Sequence, residues 1–159
     1  MDLDLASLDS VQLFAKKFLE KNYDLHLLFC NGSVIHAPKS RSLCVQTLFT
    51  SSIKCTNFLR IIFVFLAQTE DGWELHFQYN FLSHFLLTVL LLPAMLRHEN
   101  DARILLSSDV GHSSGVLDMK NMQGVGKNDY DSKKFWANSQ LYMVRALKTY
   151  FMTQLEIQV

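Results

Sequence analysis

Residues 69–96, TEDGWELHFQYNFLSHFLLTVLLLPAML, constrain the fold of this 159-residue chain more than any other stretch. Turn and cap chemistry at Thr69, Asp71 and Gly72 leads into Trp73, Phe77, Phe81, Phe85 and Val89, which recur four residues apart and give a helix one continuously apolar face. That spacing predicts a core helix. Asn80, one turn from both Phe77 and His84, sets a neutral amide among aromatic rings, where its donors and acceptor need partners. Taken alone, it reads as a satisfied core amide.

The flanking chain supplies the layers that such a helix needs. Residues 1–5 alternate Asp and Leu as a half-buried strand end does, and Ser7 can cap a helix whose apolar positions Leu8, Val11, Phe14, Ala15, Phe18 and Leu19 follow the 3.6 period. Leu25, Leu27, Leu28, Phe29 and Cys30 form a nearly continuous apolar run, the pattern of a parallel strand buried on both faces, and it ends at the Asn31-Gly32 turn. Residues 102–106, ARILL, predict another short buried strand, closed by Ser107-Ser108. A Ser-Ser pair after a strand is by itself most often a turn or a cap. Strand, helix, strand, helix, strand in this order is an α/β plan with a parallel sheet.

Nearly half of the residues are apolar or aromatic and the length suits one domain with a real core, so a single domain over residues 1–159 is expected. Fifteen basic and fifteen acidic residues cancel. The balance leaves no electrostatic footprint for nucleic acid and little self-repulsion, so poor solubility is expected. Cys30, Cys44 and Cys55 are odd in number without a CxxC pair, which indicates neither a disulfide framework nor zinc and fits a reducing compartment. The six histidines form no HExxH or Cys/His cluster, so no metal site is expected. Apolar runs at 58–67 and 81–92 are shorter than the roughly 18 to 20 residues that cross a bilayer, and the acidic N-terminus is no secretory signal. No transmembrane segment and a cytoplasmic location are expected.

TEDGWELHFQYNFLSHFLLT closely resembles the signature helix of the short-chain dehydrogenase/reductase family, in the branch of the retinol dehydrogenases and the WW-domain-containing oxidoreductase. Phe77, Gln78, Asn80, Leu82, His84 and Phe85 match its FQVNHLGHF-like core; Tyr79, Phe81 and Ser83 depart from it. DLASLDSVQLFAKKF is similar to the segment from the third strand into the next helix, LHLLFCNGS to the fourth strand with its NAG-type turn, and RILLSSDVGH to the fifth strand. The resemblance implies a partial Rossmann-like doubly wound parallel sheet holding family strands 3, 4 and 5. It implies an NAD(P)-dependent oxidoreductase acting on a small-molecule alcohol or carbonyl, alone or as a homo- or hetero-oligomer. By position Asp4 would stand beside the adenine, Asn31 near the cofactor, and Asn80 and Ser108 in the catalytic set. Ser33 stands where a glycine is usual, which requires a negative φ there.

Residues 39–68 match nothing in the family and carry the run Ile61, Ile62, Phe63, Val64, Phe65, Leu66, so they read as an atypical insertion. No glycine-rich turn follows a strand, and such a turn is where the family rests the pyrophosphate. Family strands 1 and 2 are therefore expected to be missing, which leaves unpaired edges inside the sheet, and the family domain is expected to be truncated at both ends. Family chemistry also needs a phenol that exchanges a proton and a lysine one turn away. Two registers compete in KNDYDSKKFWANSQLYMVRAL. One uses Tyr130 and Lys134 as YxxxK and keeps weak activity. The other, preferred, aligns FWANSQLYMV with AYxxSKLxN and puts Trp136 and Gln140 at the Tyr and Lys positions. Indole cannot exchange a proton near neutrality and an amide carries no charge, so this register implies little or no hydride transfer. A third reading is a non-catalytic interaction module.

Overall fold

The computed structural model describes residues 1–35, 68–97, 102–118, 120, 122 and 131–151, with 146–151 as backbone only. The first helix, α1 (Leu8–Glu20), starts where the cap residue predicts: Ser7 Oγ accepts the Ser10 N–H at 3.3 Å. Val11, Phe14, Ala15 and Phe18 are its buried residues, the stripe that the 3.6 period marks out. The chain leaves α1 through Asn22, whose φ of 52° is the left-handed conformation that asparagine tolerates.

Strands β1 (Leu27–Cys30) and β2 (Arg103–Leu106) pair in parallel, Leu27 against Arg103 through Cys30 against Leu106. Between them runs α2 (Leu75–Met95), making a strand–helix–strand unit. Its second turn, Gln78–Leu82, is wound as a π-helix, and Ser83–Met95 returns to α-helical hydrogen bonding. Pro93 lies inside α2, close to its end, and does not stop it at once; the Leu96 N–H still reaches the Leu92 carbonyl at 2.9 Å. The core fills the space between α1, α2 and one face of the sheet, with Leu5, Val11, Leu28, Leu87, Leu91, Met95 and Ile104 fully buried. Cys30 joins it, and burial pushes its thiol up to about 11, so it is a neutral packing group.

The turn before α2 is tied to the start of α1. Gly72 takes φ +81°, and its N–H bonds the Thr69 carbonyl at 3.0 Å. Asp71 Oδ2 accepts the Leu8 N–H at 2.8 Å and the Gln78 amide at 2.6 Å. A carboxylate at a helix N-terminus is favourable for its charge as well as its lone pairs. Ser83 Oγ donates to the Leu5 carbonyl at 2.6 Å from the same side of α2.

Four expectations need correction or fall elsewhere. Residues 1–5 form no strand, so the described sheet has two strands and not three. The Asp/Leu alternation survives as burial of Leu3 and Leu5, but a strand also needs a ladder partner, and none is present among the described residues. β1 is buried on one face only: Leu27 and Phe29 are 42% and 46% exposed, while Leu28 and Cys30 are buried. The apolar run reflects composition on both faces, not cover on both. The run at 81–92 belongs to a 21-residue helix that is long and apolar enough to cross a membrane by length and composition, although most of its apolar stretch is buried within the fold. Nearly all of the insertion at 39–68 lies outside the described residues.

Candidate functional site

Asn80 lies on the π turn of α2 and is 2% exposed. Its amide behaves as a ladder partner for the chain leaving β1: Oδ1 accepts the Val34 N–H at 2.7 Å and Nδ2 donates to the Val34 carbonyl at 3.0 Å. The second Nδ2 proton goes to Ser139 Oγ at 2.9 Å. One turn on, His84 Nε2 donates to the Gly32 carbonyl at 2.7 Å, which fixes the tautomer because a carbonyl only accepts. Burial lowers the His84 pKa, opposed in part by the Gly32 bond.

The ladder between the strands runs on past their ends, with the Ser107 N–H on the Cys30 carbonyl at 3.0 Å. Ser108 then meets α3 (Ser132–Phe151). Its single hydroxyl proton is shared between Gln140 Oε1 at 3.2 Å and the Gln140 carbonyl at 3.4 Å. Gln140 Oε1 also accepts the Asp109 N–H at 3.1 Å, and Nε2 donates to Ser33 Oγ at 3.2 Å. One buried amide thus links the segments leaving β1 and β2.

A 3-10 turn, Val110–Ser114, lies flat on α3 because two glycines let it approach. A Cβ on Gly111 would stand 2.4 Å from the Trp136 ring, and one on Gly115 would stand 2.6 Å from the Ala137 carbonyl. Asn138 Oδ1 accepts the Val116 N–H at 2.7 Å, and Ser139 Oγ donates to the Trp136 carbonyl at 2.7 Å. The first half of α3 is therefore a wall set by Trp136, Asn138, Ser139 and Gln140. Trp136 Nε1 is buried with no hydrogen-bond partner among the described residues.

The residues singled out from the sequence separate into two groups. Asn80 and Ser108 converge on neighbouring positions of α3, Ser139 and Gln140. Lys134 does not join them: it is exposed in the first turn of α3, its N–H on Asp131 Oδ1 at 3.4 Å. Tyr130 lies outside the described residues. Asp4 is engaged locally, its Oδ1 accepting the Ala6 N–H at 2.8 Å, and Asn31 is exposed just beyond β1. Ser33 has a negative φ, since Asn22 is the described non-glycine residue with a positive one. The links from Gln140 to Ser33 and from Asn138 to Val116 were not legible beforehand. They span 107 and 22 residues, and nothing local marks them.

At Ser108, then, stands an amide, and one turn earlier on α3 an indole packs against Gly111. Neither takes up or releases a proton near neutrality. The serine hydroxyl keeps its hydrogen-bonding capacity but is engaged by Gln140.

No protein-family model matches the chain. It is 34% identical over 147 residues to polyprenol dehydrogenase of Danio rerio, covering 91% of this chain and 36% of that protein. It is 35% identical over 122 residues to retinol dehydrogenase 11 of Mus musculus, covering 77% of this chain and 30% of that protein. The chain belongs to the short-chain dehydrogenase/reductase family. It spans about a third of the length of these two relatives. A solved structure of an uncharacterized protein from Mycobacterium paratuberculosis superposes with a TM-score of 0.65 at 22% identity, over 95% of this chain and 44% of that one, which shows a shared fold of helices and strands with a parallel sheet. β1 and β2 are neighbouring parallel strands, and the Asn80, Ser108 and Gln140 cluster lies beyond their carboxyl ends, the side on which open α/β sheets bind ligands.

Proposed function

We propose that this short-chain dehydrogenase/reductase chain carries the family scaffold without supporting hydride transfer by itself. The observation that carries the reading is the Gln140 amide, bonded at once to Ser108, to the Asp109 N–H and to Ser33. By resemblance a lysine at that position would hold the nicotinamide ribose and lower the pKa of a tyrosine at position 136. An amide and an indole supply neither charge nor a mobile proton. The Gln140 amide is also tied to Ser33 Oγ at 3.2 Å. An amide and an indole at these positions therefore do not fit the family's hold on NAD or NADP, and no catalytic step is derived through it.

Titration of the purified chain with NADH and NADPH, followed by cofactor fluorescence, tests the proposal. No saturation into the millimolar range is expected; saturable micromolar binding would overturn it. If turnover of an alcohol or carbonyl were found and Tyr130→Phe abolished it, Tyr130 and Lys134 would be the working pair after all.

A second reading, a non-catalytic interaction module, is favoured by the exposed apolar side chains Leu27 and Phe29 on the uncovered face of β1. Co-purification of a stoichiometric partner supports it, and a monodisperse monomer in light scattering opposes it. For either reading we propose the cytoplasm as the compartment.

A further inference from the structure

Asn31 comes directly after the last ladder residue of β1, and Gly32 comes after it. A glycine in second place opens a reaction that other neighbours obstruct. Its backbone nitrogen can attack the side-chain carbonyl carbon of the asparagine, and with no Cβ beside that nitrogen nothing crowds the approach. In a folded chain the reaction further needs an amide open to water, a side chain and an N–H that are not tied up, and dihedrals between them that can turn.

Asn31 meets all three needs. It is exposed, and neither its side chain nor the Gly32 N–H has a hydrogen-bond partner among the described residues. The backbone is pinned on either side and not between: the Cys30 carbonyl accepts the Ser107 N–H at 3.0 Å, and the Gly32 carbonyl accepts from His84 Nε2 at 2.7 Å. Asn31 ψ and χ1, which bring nitrogen and carbonyl together, lie in that gap. Backbone conformation does not account for the glycine either, since the described glycine with a positive φ is Gly72.

The other described asparagines differ on each count. Asn22 precedes Tyr23, and its Oδ1 accepts from Arg97. Asn80 and Asn138 are 2% and 6% exposed, lie within helices and have their amides engaged, by Val34 and Ser139 and by Val116.

We propose that Asn31 is a site of spontaneous covalent conversion to aspartate and isoaspartate in the folded chain. The Gly32 nitrogen gives up its proton and bonds Asn31 Cγ; the Cγ–Nδ2 bond breaks, and ammonia leaves with that proton, closing a five-membered imide. Water then adds to one of the two ring carbonyls, its hydrogens restoring the N–H and leaving as a proton. Breaking the Cγ–N bond gives aspartate; breaking the bond from the backbone carbonyl carbon to nitrogen gives isoaspartate. Water is the sole co-reactant, and nothing is oxidised or reduced. Either product sets a carboxylate two residues from Ser33, which Gln140 holds. In the isoaspartyl product the main chain is also one atom longer between the last bond of the ladder and the bond to His84.

The full chain is kept at mildly alkaline pH, folded in buffer and unfolded in guanidinium chloride, and its peptides are followed by mass spectrometry with electron-transfer fragmentation, which separates isoaspartate from aspartate. In buffer the mass gain of replacing NH2 by OH is expected at Asn31, within about tenfold of the rate in denaturant, because no global opening is needed. Asn80 and Asn138 should stay unchanged in buffer. Gly32→Ala should slow the gain at Asn31 by about tenfold or more, since a Cβ then stands beside the attacking nitrogen. Conversion in denaturant but not in buffer over the same period would overturn the proposal, as would a gain in buffer that Gly32→Ala leaves unchanged. If that variant does not fold, the unaltered chain in the two solvents still decides.

Discussion

Between Glu74 and Ser83, α2 buries His76, Gln78, Asn80 and Ser83 beside its apolar side chains; between Leu87 and Met95 it buries Leu87, Leu91, Ala94 and Met95, with Thr88 as the polar member. Both halves are removed from water, yet they are held by different means. The first half bonds out to the α1 turn through Ser83, to the segment after β1 through Asn80, and to α3 through Ser139. The second half packs on α1 and the sheet mainly by shape, with the Thr88 hydroxyl 3.7 Å from Cys30 Sγ of β1. Apolar packing stabilises without direction, whereas each hydrogen bond is met by one partner at one distance. The polar half therefore sets where neighbouring segments stop, and the apolar half sets how firmly the layers adhere. The π turn lies in the polar half, where it carries the Asn80 amide toward Val34.

The largest expected effect comes from the apolar half. Leu91 is fully buried, and Leu91→Ala should cost about 2–5 kcal/mol in urea unfolding, transfer and cavity terms together. The cost should be global, with protected amides throughout the core exchanging faster by a common factor. Asn80→Leu should cost about 2–4 kcal/mol, because it strands the Val34 N–H and carbonyl. Its signature should be local, exchange at Val34 rising well beyond that of the α1 amides. If both substitutions gave the same uniform pattern, the division of labour along α2 would fail.

Next comes the close approach on the other side of the site. Gly111→Ala drives a methyl into the Trp136 ring, 2.4 Å away, and should cost about 1–3 kcal/mol. Combined with Trp136→Leu, the loss should shrink, a coupling of about 1 kcal/mol in a double-mutant cycle. Additive losses would mean that the 3-10 turn moves aside and that Trp136 does not fix its place.

What could be read in advance follows the same line. The α1 stripe, the Ser7 cap and the burial of Asn80 are local matters of period and chemistry, and each was visible in a few adjacent residues. The π turn was not, since a pattern of aromatic residues four apart is equally compatible with ordinary helix. The open face of β1 was not either, because Leu27 and Phe29 are as apolar as Leu28 and Cys30, and cover depends on what else the chain brings. The meeting of Ser108 with Gln140 could be drawn only from family likeness; distance in sequence conceals it from any local rule.

The smallest effects belong to the junction that joins the polar half of α2 to α1. The N-terminus of α1 has two acceptors: Ser7 Oγ for the Ser10 N–H, and Asp71 Oδ2, 63 residues away, for the Leu8 N–H. Ser7→Ala removes a long 3.3 Å bond from a terminus that keeps its second acceptor, so its cost should lie near the low end for a cap, about 0.5 kcal/mol. Asp71→Ala removes a shorter bond, the negative charge at the helix start and the acceptor of the Gln78 amide, and should cost about 1 kcal/mol or slightly more. The order of the two is the test, read as unfolding midpoints in urea. An exposed side chain that matters more than the local cap would mean that α1 is positioned by the turn before α2 and not by its own sequence. The reverse order would detach the two helices and leave Ser83 as the polar tie between them.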